Sequence, residues 1–262
     1  MAILLQITEE YPTRKSQIRI IHHEKNRGLA AARNTGLEAA TSEYIIHCDS
    51  DDWVEKDMCE KMLNEALEHH SDVVVTDYIL EYSHKRIYKK QTIPSNNIEC
   101  INWLLNEKLR GSNWNKLVKR NLLVENSIKY IEGIDMWEDL IISIKIFFFA
   151  KKTSYLNEAF YHYIQYNYAS YTKLLTRKSL ENLISGVEEI EHFFLHKNIL
   201  DFYVKNLNYL KLAVKLHLLL NSRGKQQLEW NNLYTSANNY IFLYQALSNY
   251  LKIALWFASK KK

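Results

Sequence analysis

The sequence predicts an α/β fold: a mostly parallel sheet flanked by helices, followed by an all-helical C-terminal extension. Three observations predict it. Strand-like and helix-like segments alternate from residue 17 to residue 77, the order that builds a parallel sheet with helices on its faces. From about Tyr171 the apolar residues switch to helical spacing. Between them, the short apolar run Tyr44–Cys48 delivers Asp49, Asp51 and Asp52 at its C-terminal end. Open α/β sheets place their ligand sites at such strand ends.

Residues 3–10 read as the end of a helix, halted near Pro12. Gln17–His22 (QIRIIH) alternates and reads as a strand, and Asn26–Gly28 as a loop. Leu29–Ala40 is alanine-rich and reads as a helix, Tyr44–Cys48 as a strand. Glu55–His70 carries Met58, Met62 and Leu67 at helical spacing, and Asp72–Asp77 (DVVVTD) reads as a buried strand. Lys85–Asn97 is polar and holds Pro94, which predicts a surface hairpin or loop. Cys100–Leu109 and Trp137–Phe149 read as helices. In the extension, Leu183, Val187, Ile190 and Phe194 mark one helix, Leu207, Leu210, Val214 and Leu218 a second, and Asn238–Ala258 continues in that style.

The 262 residues are 47 % hydrophobic, enough for a sizeable core, and six Gly and two Pro argue against long linkers. A net charge of +4 is too weak to imply nucleic acid. It suits a cleft for phosphorylated ligands or an anionic surface. Cys48, Cys59 and Cys100 follow no metal-ligand spacing and predict reduced thiols in a cytoplasmic protein. The N-terminus has no signal-peptide pattern, and no apolar run reaches about 18 residues, so no spanning helix is expected. Tyr250–Lys262 (YLKIALWFASKKK) is amphipathic with a basic end. It reads either as a helix packed on the protein or as a peripheral contact with an anionic inner leaflet.

Asp49 and Asp51 sit two apart, and an extended backbone would aim both at one side. Hard oxygen donors suit Mg2+ or Mn2+, which commonly bridge protein carboxylates to substrate phosphates. The alternative is an acidic turn before the helix at Glu55. Gly28 lets the chain turn into a helix whose N-terminus attracts anions. Arg33, beside Asn34, offers a forked donor for phosphate or a base edge. Gly36 costs a helix about 1 kcal/mol, which close packing or ligand approach would justify. Taken alone, Glu138 and Asp139 are the acidic first turn of a helix. His162 reads as a hydrogen-bonded histidine near a strand end rather than a metal ligand. The aromatic run Phe160–Tyr171 reads as part core, part platform for a sugar face.

Asn26-x-Gly28, then Ala32-Arg33-Asn34-x-Gly36, then an apolar strand and Asp49-Ser50-Asp51-Asp52 resembles the nucleotide-sugar region of family 2 glycosyltransferases. Trp114-Asn115-Lys116-Leu117, Glu138-Asp139-Leu140 and Leu156–Tyr163, with Ser170, resemble further motifs of that family in the expected order. The likeness runs from about residue 3 to 172. It implies a GT-A fold, a Rossmann-like sheet, over residues 1–170, with 171–262 as the helical extension. It implies a glycosyltransferase that moves sugar from a nucleotide donor, UDP-linked for preference, to a glycan or lipid-linked acceptor. The reaction inverts the anomeric carbon and serves cell-surface polysaccharide synthesis.

The roles it implies are these. Asn26, Gly28, Arg33, Asn34, Asp49 and Ser50 bind the nucleotide sugar, Asp49 at its ribose. Asp51, in the Asp-x-Asp motif, ligates Mn2+ or Mg2+ at the diphosphate. Asp139, in preference to Glu138, is the base. The family normally opens with a strand ending in Pro-x-Tyr-Asn and a second ending in Asp-Asp-Gly-Ser; neither segment occurs here. That departure keeps open an alternative, a truncated non-catalytic remnant or partner-binding module of the same fold. A nucleotidyltransferase on a related sheet is disfavoured, because its glycine-rich, lysine-bearing N-terminal loop is missing.

Overall fold

The computed structural model describes residues 2–167, 176–221 and 231–260. Ser170, the end of the aromatic run and the last two lysines lie outside them. The sheet has six strands: β1 (Tyr44–Ile45), β2 (Trp53–Val54), β3 (Val73–Glu81), β4 (Arg86–Lys89), β5 (Lys116–Lys119) and β6 (Thr153–Ile164). Their order is β1-β5-β3-β6-β2, with β4 also paired to β3. Val73, Val74 and Val75 are fully buried. This β-branched run, covered on both faces, makes β3 the sheet's centre.

The α/β class holds, but the sheet is mixed rather than mostly parallel. Only β3 and β6 run parallel; the β1–β5, β2–β6, β3–β4 and β3–β5 pairings are antiparallel. A short connection can only return the chain antiparallel. Tyr82 to Lys85 is such a turn, closed by the Tyr82 N–H donating to the Lys85 carbonyl at 2.9 Å, and it makes the polar Lys85–Asn97 stretch a hairpin arm.

Gln17–His22 is not a strand. Pro12–Gln17 forms a 3-10 helix, and residues 18–23 pair with no strand among the described residues. Ile18, Ile20 and Ile21 are exposed. Alternation supplies the shape of a strand; a partner edge has to supply the hydrogen bonds. Tyr44–Cys48 is likewise cut to two paired residues.

Among the described residues the helices include α1 (Ala2–Glu10), α2 (Leu29–Ala39), α3 (Met58–Glu68), α4 (Asn97–Leu105), α5 (Arg120–Glu125), α6 (Glu138–Phe149), α7 (Arg177–His196), α8 (Leu200–Asn221) and α9 (Asn249–Lys260), with a 3-10 helix at Thr235–Leu243. Thr176 and Ser179 close a reciprocal capping box that starts α7. Leu183, Val187, Ile190 and Phe194 of α7 and Leu207, Leu210, Val214 and Leu218 of α8 join Ile144 and Phe147 of α6 and Val73 and Val75 of β3 in one apolar core. The helical extension is therefore packed onto the sheet layer, not hung from it. A smaller cluster, with Leu212, Ile241 and Leu255, seats α9. Among the described residues no helix is long and apolar enough to cross a membrane.

Candidate active site

A cleft of about 1260 Å³ opens where α2, the turn after β1 and the first turn of α6 converge. Gly28 sets the first of these. Its φ of +90° begins α2, and a Cβ there would lie 2.6 Å from Asp135 Oδ2. Only glycine meets both conditions. The Asp135 carboxylate, 105 residues away, instead accepts the Ala30 N–H at 3.1 Å and so caps the helix. Asn26 closes the preceding turn by accepting the Gly28 N–H at 2.9 Å. Asn34 spends both ends of its amide on the Tyr130 backbone, at 2.8 and 2.9 Å, and does not line the cleft. Gly36 does line it, and a Cβ there would meet nothing within 4 Å. Close packing is thus not its reason; open space on the ligand side remains.

Arg33 is buried and holds three carboxylates. Its Nη1 donates to Glu138 Oε1 at 2.7 Å and to Asp139 Oδ1, and its Nη2 to Asp49 Oδ1 at 3.0 Å. Its guanidinium lies 5.4 Å from the Tyr130 ring centre. Trp137 enters α6 in the left-handed region at φ 64°, a costly conformation for an aromatic residue. Glu138 and Asp139 follow it directly, both on the cleft wall.

With every carboxyl ionised, one cation would face three anions. Burial pushes both the Glu138 and Asp139 carboxyls above their ordinary range; Arg33 opposes the shift without cancelling it. Burial alone would lower the Arg33 pKa, but Asp139, Tyr130, Glu138 and Asp49 outweigh it and raise it. The cluster lacks positive charge, and protons make up the shortfall.

The sign of the pH dependence follows. Unfolded, these two carboxyls lose protons near their ordinary values of 4.5 and 3.8; folded, they keep them to higher pH. The native state binds more protons across that window, so their contribution to stability declines as pH rises through it. Glu138→Gln is expected to flatten that decline in urea denaturation at pH 5, 6, 7 and 8. An unchanged slope would contradict the charge shortage.

The Asp49–Asp52 segment is a turn, not extended, closed by the Asp52 N–H donating to the Asp49 carbonyl at 3.2 Å. The three carboxylates therefore diverge. Asp49 faces Arg33. Asp52 braces the turn, accepting from Tyr161 Oη at 2.7 Å and from the Ile164 N–H at 2.8 Å. Asp51 is exposed on the cleft, accepting from Asn167 Nδ2 at 2.9 Å. Ser50 lines the cleft beside it.

Just beyond, Trp53 stacks on the His162 ring at 3.4 Å between centres. His162 lies between Glu81 and Glu55 at 2.7 and 3.1 Å. It is a bonded core histidine pinning β2, as its position near a strand end predicts.

Among the described residues no group of three or more His, Cys, Asp or Glu could alone hold a metal ion. One exposed carboxylate fits a different mode, in which a small hard cation takes one or two protein oxygens and completes its shell with substrate phosphates and water.

Sequence reasoning missed the supports of this cluster. Asn113 Nδ2 donates to Asp139 Oδ1 at 3.0 Å and to Tyr130 Oη at 2.9 Å. Tyr130 Oη reaches His47 Nε2 at 3.1 Å, and burial next to Arg33 drops the His47 pKa to about 4. Lys116 is fully buried, and its ammonium meets the Arg110 and Ser112 carbonyls and Asn115 Oδ1. Three protons meet three oxygens, which fixes the loop carrying Asn113. The one available signal was position: Lys116 belongs to the Trp114–Leu117 motif and Asn113 directly precedes it.

Residues 3–126 match the family model described as glycosyl transferase family 2. That match covers just under half of the chain. The EpsH protein of Bacillus subtilis (strain 168) is 33 % identical over 213 residues, 77 % of this chain and 60 % of that protein. The cholesterol galactosyltransferase of Borreliella burgdorferi is 32 % identical over 171 residues, 60 % of this chain and 47 % of that one. The chain thus spans about half to two-thirds of the length of these relatives. Among solved structures, residues 1–349 of S. aureus TarS in complex with UDP-GlcNAc superimpose with a TM-score of 0.66 at 20 % identity, over 97 % of this chain and 74 % of that one. The fold of this chain is therefore GT-A-like, with its helical region included in the superposition.

Proposed function

We propose that the chain is the catalytic part of a metal-dependent, inverting glycosyltransferase that moves a sugar from a UDP-linked donor to a glycan or lipid-linked acceptor in cell-surface polysaccharide synthesis. The observation that carries this reading is the cation-poor cluster of Asp49, Glu138 and Asp139 around Arg33, opening beside Asp51 on a large cleft. The match to the family model and the UDP-GlcNAc held by the TarS neighbour support the donor class.

In this reading Asp51 of the Asp-x-Asp motif would hold the Mn2+ or Mg2+ that neutralises the diphosphate when bound, and Ser50 beside it contacts the nucleotide sugar. Asp49 takes the ribose. Gly28 and Asn26 shape the turn, Asn34 fixes α2 to the Tyr130 backbone, and Arg33 serves as the charge hub for nucleotide and acids. The acceptor hydroxyl attacks the anomeric carbon, the bond from that carbon to the diphosphate oxygen breaks, and the hydroxyl proton passes to Asp139. Asn113 and Arg33 orient Asp139; Glu138 shares its charge. Residues 1–170 form the glycosyltransferase domain and 171–262 the helical extension.

The test is stereochemical. With an α-linked UDP-sugar and Mn2+, proton NMR is expected to show a β-linked product; an α-linked product would overturn single displacement.

A second reading, a partner-binding module of the same fold, is favoured by the exposed apolar residues Ile3, Leu4, Leu5, Ile18 and Ile21. It requires that this chain bind no UDP by itself.

We also assign the chain to the cytoplasm, peripheral to the inner face of the membrane. After Glu229 the sequence has four lysines and no acid, and α9 exposes Tyr250, Ile253 and Phe257, a pairing suited to an anionic leaflet. Flotation is expected with phosphatidylglycerol vesicles and not with phosphatidylcholine vesicles; equal recovery, or none, would count against it.

A further inference from the structure

Besides the acidic cluster and Arg33, the cleft is lined by Arg110 and by the aromatic residues Tyr78, Trp114 and Tyr163. Arg110 differs from Arg33 in one decisive respect. Arg33 is spent on three carboxylates. The Arg110 guanidinium, exposed on the cleft, rests 5.4 Å from the Tyr163 ring centre and 6.0 Å from that of Trp114. Among the described residues no carboxylate pairs with it.

Its backbone is held firmly. The Arg110 N–H donates to Oε1 of the buried Gln91 at 2.9 Å, and the Arg110 carbonyl accepts from the buried Lys116 ammonium at 2.7 Å. The next residue, Gly111, abuts Leu140, directly after Asp139; a Cβ on it would lie 3.3 Å from the leucine side chain. The guanidinium thus sits beside an aromatic wall, on a backbone anchored next to the turn that carries the base. Its forked N–H donors suit a planar or tetrahedral oxyanion.

Building on the glycosyltransferase reading, we propose that Arg110 determines acceptor specificity by binding a negatively charged group, a phosphodiester or a uronate carboxylate, on the acceptor glycan. The donor's diphosphate belongs at Asp51, where a cation is needed first, whereas Arg110 is held beside the turn that carries the base. The aromatic wall takes the apolar face of the sugar ring while the fork reads its charge.

The test uses the full chain and Arg110→Gln, with Arg110→Lys as the conservative variant. Calorimetry is run with three synthetic oligosaccharides of one length: neutral, uronate-bearing and phosphodiester-bearing. Wild type is expected to bind one acidic probe at least about tenfold more tightly than the neutral one, an advantage that shrinks with salt. Arg110→Gln is expected to lose that advantage and Arg110→Lys to recover part of it; which acidic probe responds tells carboxylate from phosphodiester. UDP with Mn2+ is titrated separately, and Arg110→Gln is expected to hold it within about twofold of wild type. Equal affinity for neutral and acidic probes would overturn the proposal. So would a loss confined to UDP, which would place Arg110 at the donor. Failure of wild type to bind UDP instead strikes the glycosyltransferase reading, and the glycan titrations still judge Arg110.

Discussion

Asp139→Asn is expected to lower turnover by about 10²–10⁴-fold, the usual contribution of a positioned general base, while UDP binding with Mn2+ stays close to wild type. The asparagine keeps the volume and one oxygen for Arg33 and Asn113, which hold Asp139 Oδ1 in the native site. It cannot take the acceptor's proton. Burial already holds the native carboxyl above its ordinary pKa, which brings the base closer to working pH. Steady-state kinetics alongside calorimetry separates the two effects. Equal loss of turnover and donor affinity would contradict the assignment of Asp139 as base and favour a purely structural part.

Arg33→Met is expected to cost stability heavily. The side chain is only 8 % exposed, and its removal leaves Asp49, Glu138 and Asp139 with no cation between them. Breaking a buried charge pair by removing one partner costs about 3–5 kcal/mol. The deficit should depend on pH in a definite direction. At low pH the two α6 carboxyls are protonated, the repulsion is absent and the loss is smallest. As pH rises, each ionisation adds repulsion that the variant cannot offset, so the gap from wild type widens. Urea denaturation of both proteins at pH 5 and pH 8 checks this. A gap that is the same at both values, or narrower at pH 8, would mean that Arg33 contributes packing rather than charge.

The same cluster shows why only part of the site was legible in the sequence. The Asp49-Ser50-Asp51-Asp52 run and Glu138-Asp139 are local patterns, visible because their residues are neighbours in the chain. That one arginine joins them is not local: Arg33 and Glu138 are 105 residues apart. Asp52 looked equivalent to Asp49 and Asp51, yet the turn aims it inward at Tyr161 and the Ile164 N–H. The family resemblance implied a nucleotide contact for Asn34, but its amide is spent on the Tyr130 backbone. Lys116 stood out in the sequence only as part of the Trp114–Leu117 motif; three oxygens supplied by its own loop let it be buried.

The fold was legible to the same degree. Helical periodicity located α3, α6, α7 and α8, because one apolar face is enough to specify a packed helix. Strand identity came from composition, as in the Val73–Val75 run. Strand direction and pairing did not. They depend on which edges are offered by distant segments, so QIRIIH remains unpaired and the sheet is mixed.

The central claim is that Asp51 and the cluster beside it hold a nucleoside diphosphate through a divalent cation. Calorimetry of UDP with the chain, with and without Mn2+, and again with Asp51→Ala, tests it most directly. The account predicts heat with wild type only when Mn2+ is present, and none with Asp51→Ala under either condition. Metal-independent binding of equal strength in both proteins would contradict it.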